Sequence, residues 1–227
     1  SIQSRLLAEL KKAGKKIVFV NFSGSAIALT PETKTCDAIL QAWYPGQAGG
    51  TAIANVLFGD YNPAGRLPVT FYKSTNQLPD FEDYSMKGRT YRYMTEAPLF
   101  PFGHGLSYTT FQYGNALLNT PEIKDGEQVT LTIPVSNTGK YDGEEVVQVY
   151  LRRPGDKEGL SHALRAFKRV AIAKGTTNQV TIPLSKENFE WFDTGTNTMR
   201  PIEGEYEILY GGTSELKQLK SIPVTIK

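Results

Sequence analysis

Two hydrophobic patterns divide the chain. In the first part, apolar residues recur at helical spacing or in short unbroken runs. In "SIQSRLLAELKKAG", Ile2, Leu6, Leu7 and Leu10 fall on one helical face, and Gly14 closes the segment. "KKIVFVNF" and "CDAILQAW" are continuous β-branched and aromatic runs, the pattern of strands buried on both faces. "YPGQAGGTAIANVLFGD" breaks at Pro45-Gly46 and resumes as a helix with a stripe of Ala48, Ala52, Ile53, Val56 and Leu57. Gly59 is its expected C-cap. "GRLPVTF" is predicted as one more short strand. Strand, strand, helix, strand without hairpin signals predicts part of a layered α/β domain over residues 1–71.

From residue 116 onward the period changes to two. Val129, Leu131, Ile133 and Val135 alternate with Thr130 and Thr132, which marks a half-buried antiparallel strand. "EEVVQVYLR", "ALRAFKRVAIAKG", "NQVTIPLS", "GEYEILYGG" and "LKSIPVTIK" continue the theme, separated by turn residues such as Asn137-Thr138-Gly139 and Gly211-Gly212. Short strands at this spacing predict an all-β sandwich over 116–227. Pro134, Pro183 and Pro223 are expected at sheet edges or strand ends, since proline cannot donate to the ladder. Residues 72–115 lack periodicity but are dense in rings, proline and glycine. Large rings bury large areas, so this stretch is expected to be an ordered, packed connector and not a flexible linker.

Composition narrows the function classes. The 227 residues carry 25 Lys and Arg against 23 Asp and Glu, a formal charge of +2. "LKKAGKK" is the densest basic run and reads as the solvated end of a helix, so no nucleic-acid partner is expected. No apolar run approaches the roughly 18 residues of a membrane helix, and no membrane partner is expected either. Cys36 is the only cysteine, which excludes an internal disulfide and reads as a structural thiol. Neither Cys nor His spacing fits a metal site, and no cofactor motif is present.

Three stretches are candidates for chemistry. "FPFGHGLSYTTF" sets His104 between two glycines with Ser107 nearby. A nucleophilic serine needs a base within reach and a group orienting that base, and Ser107 sits in no G-x-S-x-G elbow. The pair reads better as loop-fixing. "PGQAGGTA" is a glycine-rich helix entry without the P-loop ending, and close packing is the stronger reading. "LPDFEDYSMKGRTYRYM" places Asp80, Glu82 and Asp83 beside Arg89, Tyr91 and Arg92, the residue types of a sugar pocket and equally of a solvated loop. Asp83, Tyr91 and Arg92 are the substrate-binding candidates.

Taken together, "DAILQAWYPGQAGGTAIANVLFGDYNPAGRLPVTFYKS", "GRTYRYM" and "PLFPFGHGLSYTTF" closely resemble the C-terminal part of glycoside hydrolase family 3. "VSNTGKYDGEEVVQVYL", "LRAFKRVAIAKG" and "GEYEILYGG" resemble the fibronectin type III-like domain that closes many members. The β-xylosidase branch is the nearest in pattern. The resemblance implies a partial α/β sandwich followed by a fibronectin type III-like β-sandwich. It implies a retaining, exo-acting β-glycosidase, periplasmic or secreted, whose carbohydrate is bound by the full-length enzyme. The nucleophilic Asp belongs to the family's barrel and the acid/base Glu to a part expected before residue 1, so no catalytic residue carries over to this chain. The chain alone is expected to be inactive and to seek a partner, its missing half or a second copy. The competing readings are a carbohydrate-binding module, with Trp43, Trp191, Tyr91 and Tyr93 as stacking candidates, and a purely bracing module.

Overall fold

The computed structural model describes residues 2–124, 127–156 and 159–227. The first part contains α1 (Ile2–Lys12), β1 (Val18–Asn21), α2 (Thr30–Thr35), β2 (Ala38–Gln41) and α3 (Gly49–Phe58). β1 and β2 pair in parallel, Val18 opposite Ala38 through Asn21 opposite Gln41. Both helix ends follow the expected chemistry. Gly14 (φ 68°) and Gly59 (φ 88°) adopt the left-handed conformation that glycine tolerates, and the Gly59 N–H bonds to the Val56 carbonyl.

Little of this part is buried. α1 has no buried residue, and Leu6 is 60% exposed. Val18 is 52% exposed, so β1 is not covered on both faces as its sequence predicts; among the described residues its sheet holds β1 and β2 alone. "GRLPVTF" forms no strand. Only Phe71 makes an isolated bridge, to Phe100, since the segment threads between the two parts of the molecule and not along a sheet.

After a one-turn helix, α4 (Thr90–Tyr93), the chain builds the sandwich from β3 (Phe111–Tyr113), β4 (Leu117–Leu118), β5 (Glu122–Ile123), β6 (Val129–Asn137), β7 (Gly143–Arg152), β8 (Ala163–Ile172), β9 (Thr177–Leu184), β12 (Gly204–Gly211) and β13 (Lys220–Ile226). A small hairpin of β10 (Glu190–Asp193) and β11 (Thr198–Pro201) is appended. One sheet runs β5-β13-β12-β7-β8, and the other pairs β6 with β3 and β4 on one side and β9 on the other. Val129, Leu131, Ile133 and Val135 of β6 are fully buried, facing Val147, Val149 and Leu151 of β7 across one core.

The prolines show how this sheet tolerates them. Pro183 lies on edge strand β9, as expected. Pro134 lies in the middle of β6, with strands on both sides, against expectation. It sits where β3 has ended and β4 has not begun, and its carbonyl accepts the Gly114 N–H (2.7 Å). The missing donor of proline falls at this gap, where the Gly114 carbonyl accepts from the Tyr210 hydroxyl instead (3.2 Å). Pro223 of β13 likewise lies outside the short reach of β5, which pairs only with Thr225 and Ile226.

Candidate functional site

His104, Tyr91 and Arg92, three of the residues singled out in the sequence, lie at the joint between the two parts. Segment 99–104 runs alongside 67–71 and is tied to it by backbone bonds: Phe71 N–H to Phe100 (2.9 Å), Leu67 N–H to His104 (2.8 Å) and Gly103 N–H to Leu67 (2.8 Å). The glycines flanking His104 are both required. Gly103 has φ 77°, and a side chain there would collide with Gln148. A Cβ at Gly105 would stand 2.3 Å from the Gly65 carbonyl. His104 stacks on Phe100 with centroids 5.1 Å apart. Burial pushes its imidazole below the usual range, helped by the Arg66 charge. Ser107 donates to Asn62 Oδ1 (2.8 Å) and has no bond to His104. The two residues thus fix loops and form no nucleophile–base pair.

β7 is the floor of this joint. Its second face would be solvated in an isolated sandwich, but Gln148 and Tyr150 are buried there. Gln148 Nε2 donates to the Gly103 and Gly212 carbonyls (3.1 and 2.7 Å). Tyr150 lies edge-on to Tyr91 at 5.8 Å. Tyr91, a sequence candidate, also stacks on Phe102 at 4.7 Å and accepts the Leu164 N–H through its hydroxyl (2.9 Å). Arg92 is exposed, with its guanidinium 5.9 Å from the Tyr91 ring. Asp83 stands apart on an exposed loop. It accepts the Ser85 N–H (2.8 Å), and this bond, together with the Ser85 hydroxyl, holds its carboxyl below the usual range. Tyr91 and Arg92 are therefore in contact with each other, and Asp83 belongs to a separate surface.

Of the other rings singled out by sequence, Phe111 packs on the sandwich core and Tyr108 donates to the Val56 carbonyl of α3 (2.5 Å). Trp43 is half-buried, edge-on to Phe71 at 6.1 Å, with a left-handed backbone (φ 54°). Trp191 is buried in the sandwich, with the Arg165 guanidinium 4.7 Å above its ring. In the glycine-rich helix entry, Pro45 occupies the space a side chain at Gly49 would need, its Cβ 2.4 Å from the ideal position.

Among the buried polar groups that sequence reading missed, two bear on the joint. Arg66 and Glu145 form an ion pair at 2.6 Å, with side chains 9% and 4% exposed, and Tyr113 donates to the other carboxylate oxygen (2.8 Å). Burial pushes the Glu145 carboxyl upward, opposed by Arg66 and Tyr113. The available signal was phase: Glu145 shares the parity of Val147, Val149 and Leu151, so a charge stands at an inward position. The second is His162, buried against Tyr91 and Tyr150. Its Nε2 must donate to the Ser214 carbonyl (2.9 Å), which leaves Nδ1 to accept from Ser161 (3.0 Å). Burial pushes its pKa down to about 4. Among the described residues, no group of His, Cys, Asp and Glu could hold a metal ion.

Comparison with known proteins places the chain among relatives. Residues 1–108 match the glycosyl hydrolase family 3 C-terminal domain, and residues 145–214 match a fibronectin type III-like domain. A xylan 1,4-β-xylosidase of Xylanibacter ruminicola is 56% identical over 99% of this chain, which spans 26% of that relative. A periplasmic β-glucosidase of Salmonella typhimurium is 35% identical over 91% of the chain, which spans 31% of it. In structure, a β-glucosidase of Erythrobacter marinus superposes with a TM-score of 0.86 at 35% identity, covering 99% of this chain and 30% of that one.

Proposed function

From membership in glycosyl hydrolase family 3, to which this chain belongs, we infer that it works as the C-terminal portion of a retaining, exo-acting β-glycosidase of the β-xylosidase type. The observation that carries this reading is the 56% identity, over 99% of the chain, to a protein named for xylan 1,4-β-xylosidase activity. Retaining hydrolysis needs two carboxyl groups about 5 Å apart, one as nucleophile and one as acid/base. In this reading both come from the remainder of the protein, because the chain spans only 26% of that relative. Several carboxylates here are held in ion pairs of their own: Glu145 with Arg66, Glu144 with Arg169, and Asp37 with Lys16.

The chain's own work is to brace. The division into 1–71, 72–115 and 116–227 assigns the α/β portion, the connector and the sandwich, with the connector lending β3 to the sandwich. The joint through Arg66, Glu145, Tyr91 and His162 makes these move as one piece. The exposed apolar residues Ile2, Leu6, Val18 and Phe22 then form the surface on which the rest of the enzyme rests. In its absence they drive self-association.

Incubation with aryl β-xyloside and aryl β-glucoside tests the reading. The 227-residue chain should show no turnover, and a polypeptide carrying the full length of the relatives should cleave the xyloside. Turnover by the chain itself, lost on mutating one of its carboxylates, overturns the assignment.

A further inference from the structure

Both histidines of the chain, His104 and His162, lie in the joint between connector and sandwich. His162 is the more enclosed, at 2% exposure. Its ring fills the space between Tyr91 of the connector (5.1 Å between centroids) and Tyr150 of β7 (5.2 Å). Its Nε2 holds the Ser214 carbonyl in the turn after β12, and its Nδ1 holds the Ser161 hydroxyl just before β8. The same two turns hold the connector. The Ser214 N–H donates to the Phe102 carbonyl (3.0 Å), and the Ser161 N–H donates to the Arg92 carbonyl (2.8 Å). Two residues beyond His162, the Leu164 N–H donates to the Tyr91 hydroxyl (2.9 Å). One imidazole therefore positions both turns, and the ties of segment 91–102 to the sandwich surround it. The sandwich core has no part in this slot: Val147, Val149 and Leu151 pack on the opposite face of β7 from Tyr150.

The slot suits a neutral ring. Facing it are the Tyr91 and Tyr150 rings, the Ser161 hydroxyl, the Ser214 carbonyl and, from β7, the Arg152 guanidinium, itself paired with Glu207 of β12 (3.0 Å). Among the described residues, no carboxylate bonds to the imidazole. A proton on Nδ1 would bury a charge near Arg152 and reverse the bond in which Nδ1 accepts from Ser161. Burial, with the Arg152 charge added, holds the imidazole near 4, against the pull of the Ser214 carbonyl. Lifted into water, the ring regains its ordinary value of about 6.5. The lifted form therefore binds the proton more tightly. The contact is at full strength above pH 6.5 and is lost as pH falls toward 4. His104 is biased the same way by burial and the Arg66 charge, while Glu145, raised by burial, is biased the opposite way. We propose that His162 is an acid-released pin: on protonation it leaves its slot, and segment 90–104 lifts from β7 while the sandwich core stays folded. The device belongs to the joint and does not rest on the glycosidase reading.

Amide hydrogen exchange by NMR on the 227-residue chain, at pH 7 and pH 4.5, tests it. Each rate is divided by that of an unstructured amide at the same pH. Protection at Ser161, Leu164 and Ser214 should fall roughly fifty-fold between the two, while Leu131 and Ile133 of β6 keep theirs. In His162→Gln, whose side-chain amide still offers a donor to Ser214 but does not titrate, the fall should shrink to a few-fold or less. An equal fall in the variant and the unaltered chain overturns the pin. So does a fall at Leu131 in step with Ser214, because the whole sandwich would then be unfolding. If the variant does not fold, the imidazole resonances of the unaltered chain decide. The His162 ring should titrate together with the loss of protection at Ser214. A His162 midpoint near pH 6.5 with Ser214 still protected overturns the pin as well.

Discussion

The two parts of the molecule obey the same local rules and reach opposite states of burial. In the sandwich, strand β6 places Val129, Leu131, Ile133 and Val135 at 0% exposure, each opposed by residues of the other sheet. In the α/β part, α1 presents an equally regular stripe, yet Ile2 is 84% exposed and Leu6 60%. Local pattern creates the element in both cases. Only the presence of an opposing layer makes the pattern stabilising, because helical stability comes chiefly from packing of the amphipathic face. The sandwich brings its own second layer. The α/β part leans on the sandwich through the joint and leaves its other face open.

If the joint couples the parts, its buried ion pair should give the largest single effect. Glu145→Ala would leave the Arg66 guanidinium buried without its counter-charge and Tyr113 without its acceptor. A loss of about 3–5 kcal/mol is expected in urea unfolding. A loss below about 1 kcal/mol would show that the joint opens freely and that the two parts are energetically separate. Leu131→Ala tests the sandwich alone. Cavity formation at a fully buried leucine should cost about 2–5 kcal/mol, and an unfolding midpoint that does not move would contradict the closed core.

His162 sharpens the comparison through pH. Its pKa is about 4 in the fold, against about 6.5 when unfolded. Above pH 6.5 both states are neutral and the residue contributes no pH dependence. As pH falls from 6.5 toward 4, the unfolded chain takes up a proton that the folded chain refuses, so stability falls. The full loss across that window is about 3 kcal/mol. His162→Gln should flatten this slope relative to the unaltered chain. Taking the difference between the two proteins cancels Glu145, whose raised carboxyl acts with the opposite sign. An identical slope in both would mean that His162 titrates freely and that the joint is wet.

The legible part of the fold was the part decided by short-range periodicity. Alternation located β6, β7, β9 and β12, and glycine chemistry located the ends of α1 and α3. The failures came where burial depends on a distant segment. "GRLPVTF" reads as a strand, but its backbone groups bond to residues 99–104 in irregular geometry. β7 reads as half-buried, but the connector covers its second face, so Gln148 and Tyr150 are interior. Tyr91 reads as a sugar-stacking ring because sequence shows ring and charge together. It does not show that the hydroxyl is taken by Leu164 and one ring face by Phe102. The buried histidine had no signal at all beyond its identity, since "LSHAL" follows neither period.

The smallest effect carries the contrast with Leu131. Leu6→Ala removes the same atoms from a regular helical stripe, but at a position 60% exposed. Helix propensity favours alanine slightly over leucine, and the area returned to water is small, so a change within about 0.5 kcal/mol is expected. Light scattering should change more than stability does, because each apolar residue removed from the open face weakens self-association. A loss of 2 kcal/mol or more at Leu6, on the scale of Leu131, would mean that α1 is covered in solution. The open face would then be an internal contact of the chain, and the difference between the two parts would disappear.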